Sequence, residues 1–151
     1  MNTHRTAIVT GGAGGIGLST VRRFLDAGYN VAAIDIGATA LDALNDRLGA
    51  PDRLLTFCAD VTDPHQVEGA VSATLERYSS LEILVNIAGG SGSTRVRDVD
   101  AIDLDTWDHV IDLNLRSAFL FCRACVPAMR DAGFGRIINL SSRSAQGETG
   151  P

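Results

Sequence analysis

Five short apolar runs recur along the chain, at residues 6–10, 31–35, 53–58, 83–86 and 136–140. Most are apolar at both odd and even positions, the pattern of strands covered on two faces rather than one. Between them the period changes to that of a helix. Val67, Ala70, Val71, Thr74, Leu75 and Tyr78 follow one another at three- and four-residue steps and place a single apolar stripe along one helix. Thr62 or Asp63 can cap it, and Pro64 suits its first turn. Asp103 is expected to cap a long helix over 104–131 that Gly133 ends, and Trp107, Val110 and Ile111 are read as core. In the first helix Ile16, Thr20 and Phe24 are spaced to dock on a sheet, with Gly28 closing the helix. The order βαβαβαβαβ predicts an α/β fold, a doubly wound parallel sheet with right-handed crossovers. No linker, short repeat or low-complexity tract divides residues 1–151, so one domain is expected.

The bulk numbers agree with this. A chain of 151 residues, 45% hydrophobic and 21% charged, can form one soluble domain that buries roughly 70% of its unfolded surface. No apolar run approaches the ~18 residues of a membrane span, and Met1 to Arg5 lead straight into the first strand, so neither a membrane partner nor a signal peptide is expected. The net charge of −5 argues against a nucleic-acid partner. Cys58, Cys122 and Cys125 cannot all pair, which fits a reducing, cytoplasmic setting. The spacing of Cys122 and Cys125 resembles a redox motif, but it lies in an apolar helical stretch that favours small packed hydrophobes. His4, His65 and His109 have no partners at metal-ligand spacing, and no metal site is expected. All 13 basic residues are arginine; the sequence contains no lysine.

The strongest chemical signal is the turn Thr10-Gly11-Gly12-Ala13-Gly14-Gly15-Ile16-Gly17, which leaves the first strand and opens the first helix. Glycines there permit backbone angles that a Cβ forbids and let the main chain approach a pyrophosphate, while the helix start offers unpaired N–H groups to it. Asp35 ends the second strand 18 positions after Gly17, near the offset of an acid that accepts hydrogen bonds from an adenosine ribose. The plainer alternative is a tight turn beside a solvated aspartate. A carboxylate at 35 would repel a 2′-phosphate, and the residues after it, Ile36 and Gly37, are not basic. NAD is therefore expected in preference to NADP.

These residues resemble the classical short-chain dehydrogenase/reductase family, and the resemblance runs the length of the chain. Thr10 through Gly17 is similar to its TGxxxGxG turn, with Gly11, Gly15 and Gly17 as the three glycines. Asp60-Val61 resembles the pair that meets the adenine ring. Asn86-Ile87-Ala88-Gly89 is similar to the family's Asn-Asn-Ala-Gly, with Ile87 in place of the second asparagine. Asn114 matches the asparagine of the long helix, and Ser142 the catalytic serine. The resemblance implies a Rossmann-type sheet with about five strands present and the C-terminal strands and helices missing. It implies a site in which Thr10, Gly11, Gly12, Gly14, Gly15, Ile16, Gly17, Asp35, Ile36, Asp60, Val61, Asn86, Ala88 and Gly89 bind the cofactor. Each match has a plainer reading: Asp60 as a helix-entry residue, Asn114 as a polar group satisfying nearby backbone, Ser142 as a strand end.

The resemblance also implies the reaction, hydride transfer between NAD(H) and a carbonyl or alcohol substrate. Ser142 would polarise the substrate oxygen and Asn114 would organise a proton relay. A tyrosine acting as general acid/base, with a lysine that lowers its pKa, would lie beyond Pro151. Little activity is therefore expected of these residues by themselves. The fifth strand, with Ile137 and Ile138, should form an exposed apolar edge, and the long helix should want cover on more than one side, so poor folding alone, aggregation or a need for a partner is expected, with a homo-oligomer in the full-length form. The loop 91–97, with Gly92, Arg95 and Arg97, points to no substrate class. A non-catalytic dinucleotide-binding module and a half-enzyme completed by another chain stay open. A methyltransferase is disfavoured by the glycine spacing and by Ser141-Ser142.

Overall fold

The computed structural model describes residues 4–49, 51–91 and 98–142. The expected alternation is present: β1 (Thr6–Thr10), α1 (Gly15–Asp26), β2 (Asn30–Asp35), α2 (Ala38–Leu48), β3 (Leu54–Cys58), α3 (Pro64–Tyr78), β4 (Ile83–Asn86), α4 (Leu104–Ile111), α5 (Ser117–Asp131) and β5 (Arg136–Asn139). The five strands form one parallel sheet in the order β3-β2-β1-β4-β5. The chain leaves β1 toward one edge and returns at β4 toward the other, so the carboxyl ends of β1 and β4 flank the point where the winding reverses. Ligands of such sheets bind there.

Two-sided burial explains the strand composition. Ile8, Ala32, Ile34 and Leu84 face α3 and α5, where Val67, Val71, Phe121 and Cys125 complete one core. Ala7, Val9, Val31, Ala33 and Val85 face the other way, onto Val21 and Leu25 of α1 and Leu41 and Leu44 of α2. Helix ends follow local chemistry. Asp63, not Thr62, caps α3 by accepting from the amides of His65 and Gln66 at 2.8 and 3.3 Å. Asp103 caps α4 through the Thr106 amide at 2.7 Å. Both carboxyls are held below the usual carboxylate range, Asp63 chiefly by its Gln66 side-chain hydrogen bond and Asp103 by the Thr106 amide. Arg53 caps the other end of α1, donating to the carbonyls of Leu25 and Tyr29 at 2.8 and 2.9 Å.

Three expectations are corrected. Helix α1 docks through Gly17, Val21 and Leu25, one position on from the expected row of Ile16, Thr20 and Phe24. Gly17 belongs to the buried row because it lacks a side chain, which hid it from a hydrophobic pattern. Ile16 and Thr20 instead line a shallow apolar groove on the outer side of α1, and Phe24 borders that groove while still packing against the core as expected. Trp107 and Ile111 lie on the surface, 55% and 36% exposed, because α4 packs mainly against the turn that follows it. That turn is the third departure: the long helix is interrupted over Asp112–Arg116 by a π-helical segment.

The expected apolar edge is present, with Ile137 and Ile138 on β5 substantially exposed. Leu115 and Phe119, at 65% and 59%, continue the open side of the long helix. Among the described residues no helix is long and apolar enough to cross a membrane.

Phe121, fully buried, and Phe119, exposed, separate the two faces of α5. Phe121→Ala should cost about 3–5 kcal/mol, whereas Phe119→Ala should stay within about 0.5 kcal/mol, both read from urea unfolding midpoints. The thiols should differ as well. Cys125 is buried, and burial pushes its pKa up to about 12. In the folded protein at neutral pH a thiol reagent should label the exposed Cys58 rapidly and reach Cys125 only on unfolding.

Candidate functional site

The carboxyl ends of β1, β2 and β4 and the entry to α1 surround a cleft of about 1140 Å³. One wall is the glycine turn. Gly11 adopts φ +64°, and a Cβ there would come within 3.0 Å of the Ala88 nitrogen. A Cβ on Gly17 would overlap the Gly11 carbonyl. These two glycines fold the turn tightly onto itself. Gly15 has a different role: nothing lies within 4 Å of where its Cβ would be, so its side of the turn opens into the cleft. The first intrahelical bond of α1 runs from the Leu18 amide to the Gly14 carbonyl at 2.7 Å. The amides of Gly15, Ile16 and Gly17 precede it and have no carbonyl within the helix to serve.

Across the cleft, Asp35 ends β2. Its Oδ2 accepts the Ala13 amide and its Oδ1 the Gly37 amide, both at 3.1 Å. A carboxylate has about four acceptor positions, so each oxygen keeps capacity for a ligand hydroxyl. Asp60 and Val61 follow β3. Asp60 Oδ1 takes both the Thr62 amide, at 2.8 Å, and the Thr62 hydroxyl, at 2.7 Å. That oxygen serves the entry to α3, as the plainer reading of Asp60 held, while the residue still lines the cleft.

The third wall comes from β4 and the π turn. Asn114 clamps one residue of the β4 loop at both ends: its Oδ1 accepts the Gly90 amide at 2.9 Å and its Nδ2 donates to the Gly90 carbonyl at 2.7 Å. The second Nδ2 hydrogen goes to the Val110 carbonyl at 2.8 Å. Both amide hydrogens are thus committed, leaving only acceptor capacity on Oδ1 for a relay. Asn86 joins β4 to β5, its Nδ2 donating to Asn139 Oδ1 at 2.8 Å and its carbonyl accepting the Leu140 amide at 2.9 Å. Ser141 and Ser142 continue from there into the cleft rim. Ile87, where the resembled motif has asparagine, packs against the core on the α1 side, so an apolar side chain suits the position.

The cleft therefore gathers Gly11, Gly14, Gly15, Ile16, Gly17, Asp35, Ile36, Asp60, Val61, Asn86, Ala88, Gly89, Asn114 and Ser142. Thr10 and Gly12 stand behind its wall. The Thr10 hydroxyl, nearly inaccessible, accepts the amides of Ile87 and Ala88 at 3.0 and 3.1 Å. Gly12 donates to the Ile34 carbonyl at 3.0 Å, and a Cβ on it would sit 2.8 Å from that of Ala33. Their work is to hold the turn against the sheet. Gly90, Ala13 and Asn139 join the site through hydrogen bonds to Asn114, Asp35 and Asn86; the Gly89-Gly90 doublet and the place of Ala13 within the glycine turn are their signals in the sequence. Residues 92–97, with Arg95 and Arg97, lie outside the described residues. Among the described residues no cluster of His, Cys, Asp and Glu could hold a metal.

The glycine spacing, the switch point and Asp35 together match a recurrent design. A family profile described as short chain dehydrogenase matches residues 5–150. The chain is 38% identical over 140 residues to 2-(R)-hydroxypropyl-CoM dehydrogenase of Xanthobacter autotrophicus, covering 91% of this chain and 56% of that protein. It is 35% identical to D-threitol dehydrogenase of Mycolicibacterium smegmatis, over 93% of this chain and 54% of that one. Among solved structures, a 3-ketoacyl-ACP reductase from Sinorhizobium meliloti superposes with TM-score 0.85 at 31% identity, covering 91% and 53% of the two chains. An actinorhodin polyketide ketoreductase solved with NADPH gives 0.88 at 28%, covering 97% and 56%. The chain thus spans a little over half the length of these relatives. Family and fold together support binding of NAD or NADP, and the chain belongs to the short chain dehydrogenase family.

Proposed function

We propose that residues 1–151 form the nucleotide-binding domain of an oxidoreductase that uses NAD(H) and acts on a small carbonyl or alcohol substrate. The observation that carries this is the pairing of the helix-start amides of Gly15, Ile16 and Gly17, which have no acceptor within α1, with the fixed Asp35 carboxylate on the opposite lip. The amides and the positive end of α1 suit a diphosphate, worth about 0.3–1 kcal/mol from the helix field and up to ~2 kcal/mol when partly buried. The Asp35 oxygens suit the two hydroxyls of an adenosine ribose. A 2′-phosphate there would meet a like charge: at ~4 Å the repulsion is about 4 kcal/mol at an effective dielectric of 20. NADP is therefore disfavoured. Ile36, 70% exposed, and Val61 offer apolar surface for the adenine.

The bound nicotinamide would supply or accept the hydride. For the rest, Ser142 at the cleft rim would donate a hydrogen bond to the substrate oxygen and stabilise its developing charge. Asn114 would hold the Gly89–Gly90 wall in place. Neither tyrosine serves as the acid/base. Tyr29 lies at the groove outside α1, and Tyr78 is buried at the end of α3, its pKa raised by that burial. With no lysine in the sequence, no ammonium is present to favour a phenolate. These residues are thus expected to bind NAD(H) without turnover of their own. The exposed side of α4 and α5 suits a homo-oligomer of the longer protein, and a reducing, cytoplasmic setting suits its three free thiols.

Titration with NADH and NADPH, followed by fluorescence, tests the reading. NADH should bind more tightly than NADPH. Asp35→Ala should remove hydrogen bonds to a charged acceptor worth about 1.5–3 kcal/mol, weakening NADH roughly ten- to a hundredfold while narrowing the gap to NADPH. Tighter NADPH binding by the unsubstituted protein, or NADH affinity indifferent to Asp35→Ala, would overturn it.

A further inference from the structure

The π turn between α4 and α5 poses a bookkeeping question for its backbone. The Ser117 amide donates to the Asp112 carbonyl, five residues back rather than four. Such a turn inserts one residue into the helical row, and a carbonyl loses its ordinary partner. The next carbonyl in that row is Leu113, and the Ser117 hydroxyl donates to it at 2.6 Å. Ser117 is only 4% exposed, so water is a poor substitute. The residue between Leu113 and the end of the turn that matters is Asn114, whose side chain holds Gly90 by amide and carbonyl alike.

From these contacts we infer that Ser117 is a positioning residue: its hydroxyl stabilises the π register that aims Asn114 at Gly90, and so sets the β4 wall of the cleft. If the turn relaxed to an α-helix, losing the inserted residue would rotate Asn114 by about 100° around the axis. The Gly90 clamp could not survive that. An ordinary helical serine, bonded back to its own turn, would have no such consequence for a loop on another element. The link to nucleotide binding rests on the function proposed above; the link from Ser117 to Gly90 does not.

The test uses residues 1–151 and reads hydrogen exchange at the Gly90 amide by NMR, without cofactor. Ser117→Ala should speed that exchange about tenfold, corresponding to ~1.4 kcal/mol, and Ser117→Thr, which keeps the hydroxyl, should restore it. NADH affinity should fall and recover in parallel. Unchanged Gly90 exchange in Ser117→Ala, even with a lowered melting temperature, would overturn the inference and leave Ser117 as packing only. Ser117→Cys, which is close in volume but only a weak donor, gives the same readout should Ser117→Ala not fold. Failure of the unsubstituted chain to bind NADH would overturn the functional reading alone, since the exchange ratio is measured without it.

Discussion

The cleft depends on one buried hydroxyl. β1 and β4 are neighbours in the sheet, yet the segments leaving them must part, one toward α1 and the other toward α4. Thr10 Oγ1 accepts two successive amides, those of Ile87 and Ala88, just where the ladder between the strands ends. Those amides would otherwise be partly buried without partners, at about 1–3 kcal/mol each. The same contact fixes Ala88 beside Gly11, where only a glycine leaves room for its nitrogen. Turn geometry on one strand and loop geometry on the other are therefore set together.

Around that point the walls support one another. Asp35 reaches back from β2 to the Ala13 amide, so the acidic lip and the glycine lip are tied directly. Asn86 links β4 to β5 through both its carbonyl and its side chain, and Asn114 ties the long helix to Gly90. Every lip is joined to a neighbour by polar contacts across strand ends, while the two apolar cores fix the strands beneath. Such cross-ties favour a cleft whose shape is largely set before a ligand arrives.

Much of this was legible in the sequence because it rests on strong local signals. The strand runs were found within a residue at each end, since two-sided burial writes itself as unbroken apolar runs. The glycine turn and Asp35 were visible because their spacing reflects a fixed strand-helix-strand geometry. What escaped reading depended on contacts far apart in sequence or on absent side chains. Gly17 carries the docking row of α1 without being hydrophobic, which shifted the expected face by one position. Trp107 reads as core by composition, yet its helix lies away from the sheet. The π turn has no sequence signature of its own, because it arises from what Asn114 and Ser117 bond to. Thr10 and Gly12 belong to the motif by position, but tertiary contacts turn them toward the sheet rather than the cleft.

The grip on Asp35 has a consequence for any redesign of cofactor choice. Its two oxygens are built into the protein's own backbone, one at Ala13 and the other at Gly37, so the residue is a structural acceptor as well as a recognition group. Exchanging it for a small neutral residue to admit a 2′-phosphate would also untie the glycine lip from β2. A successful swap would need to leave an oxygen facing Ala13 while removing the charge, and to import a cation from a position that bears no such duty.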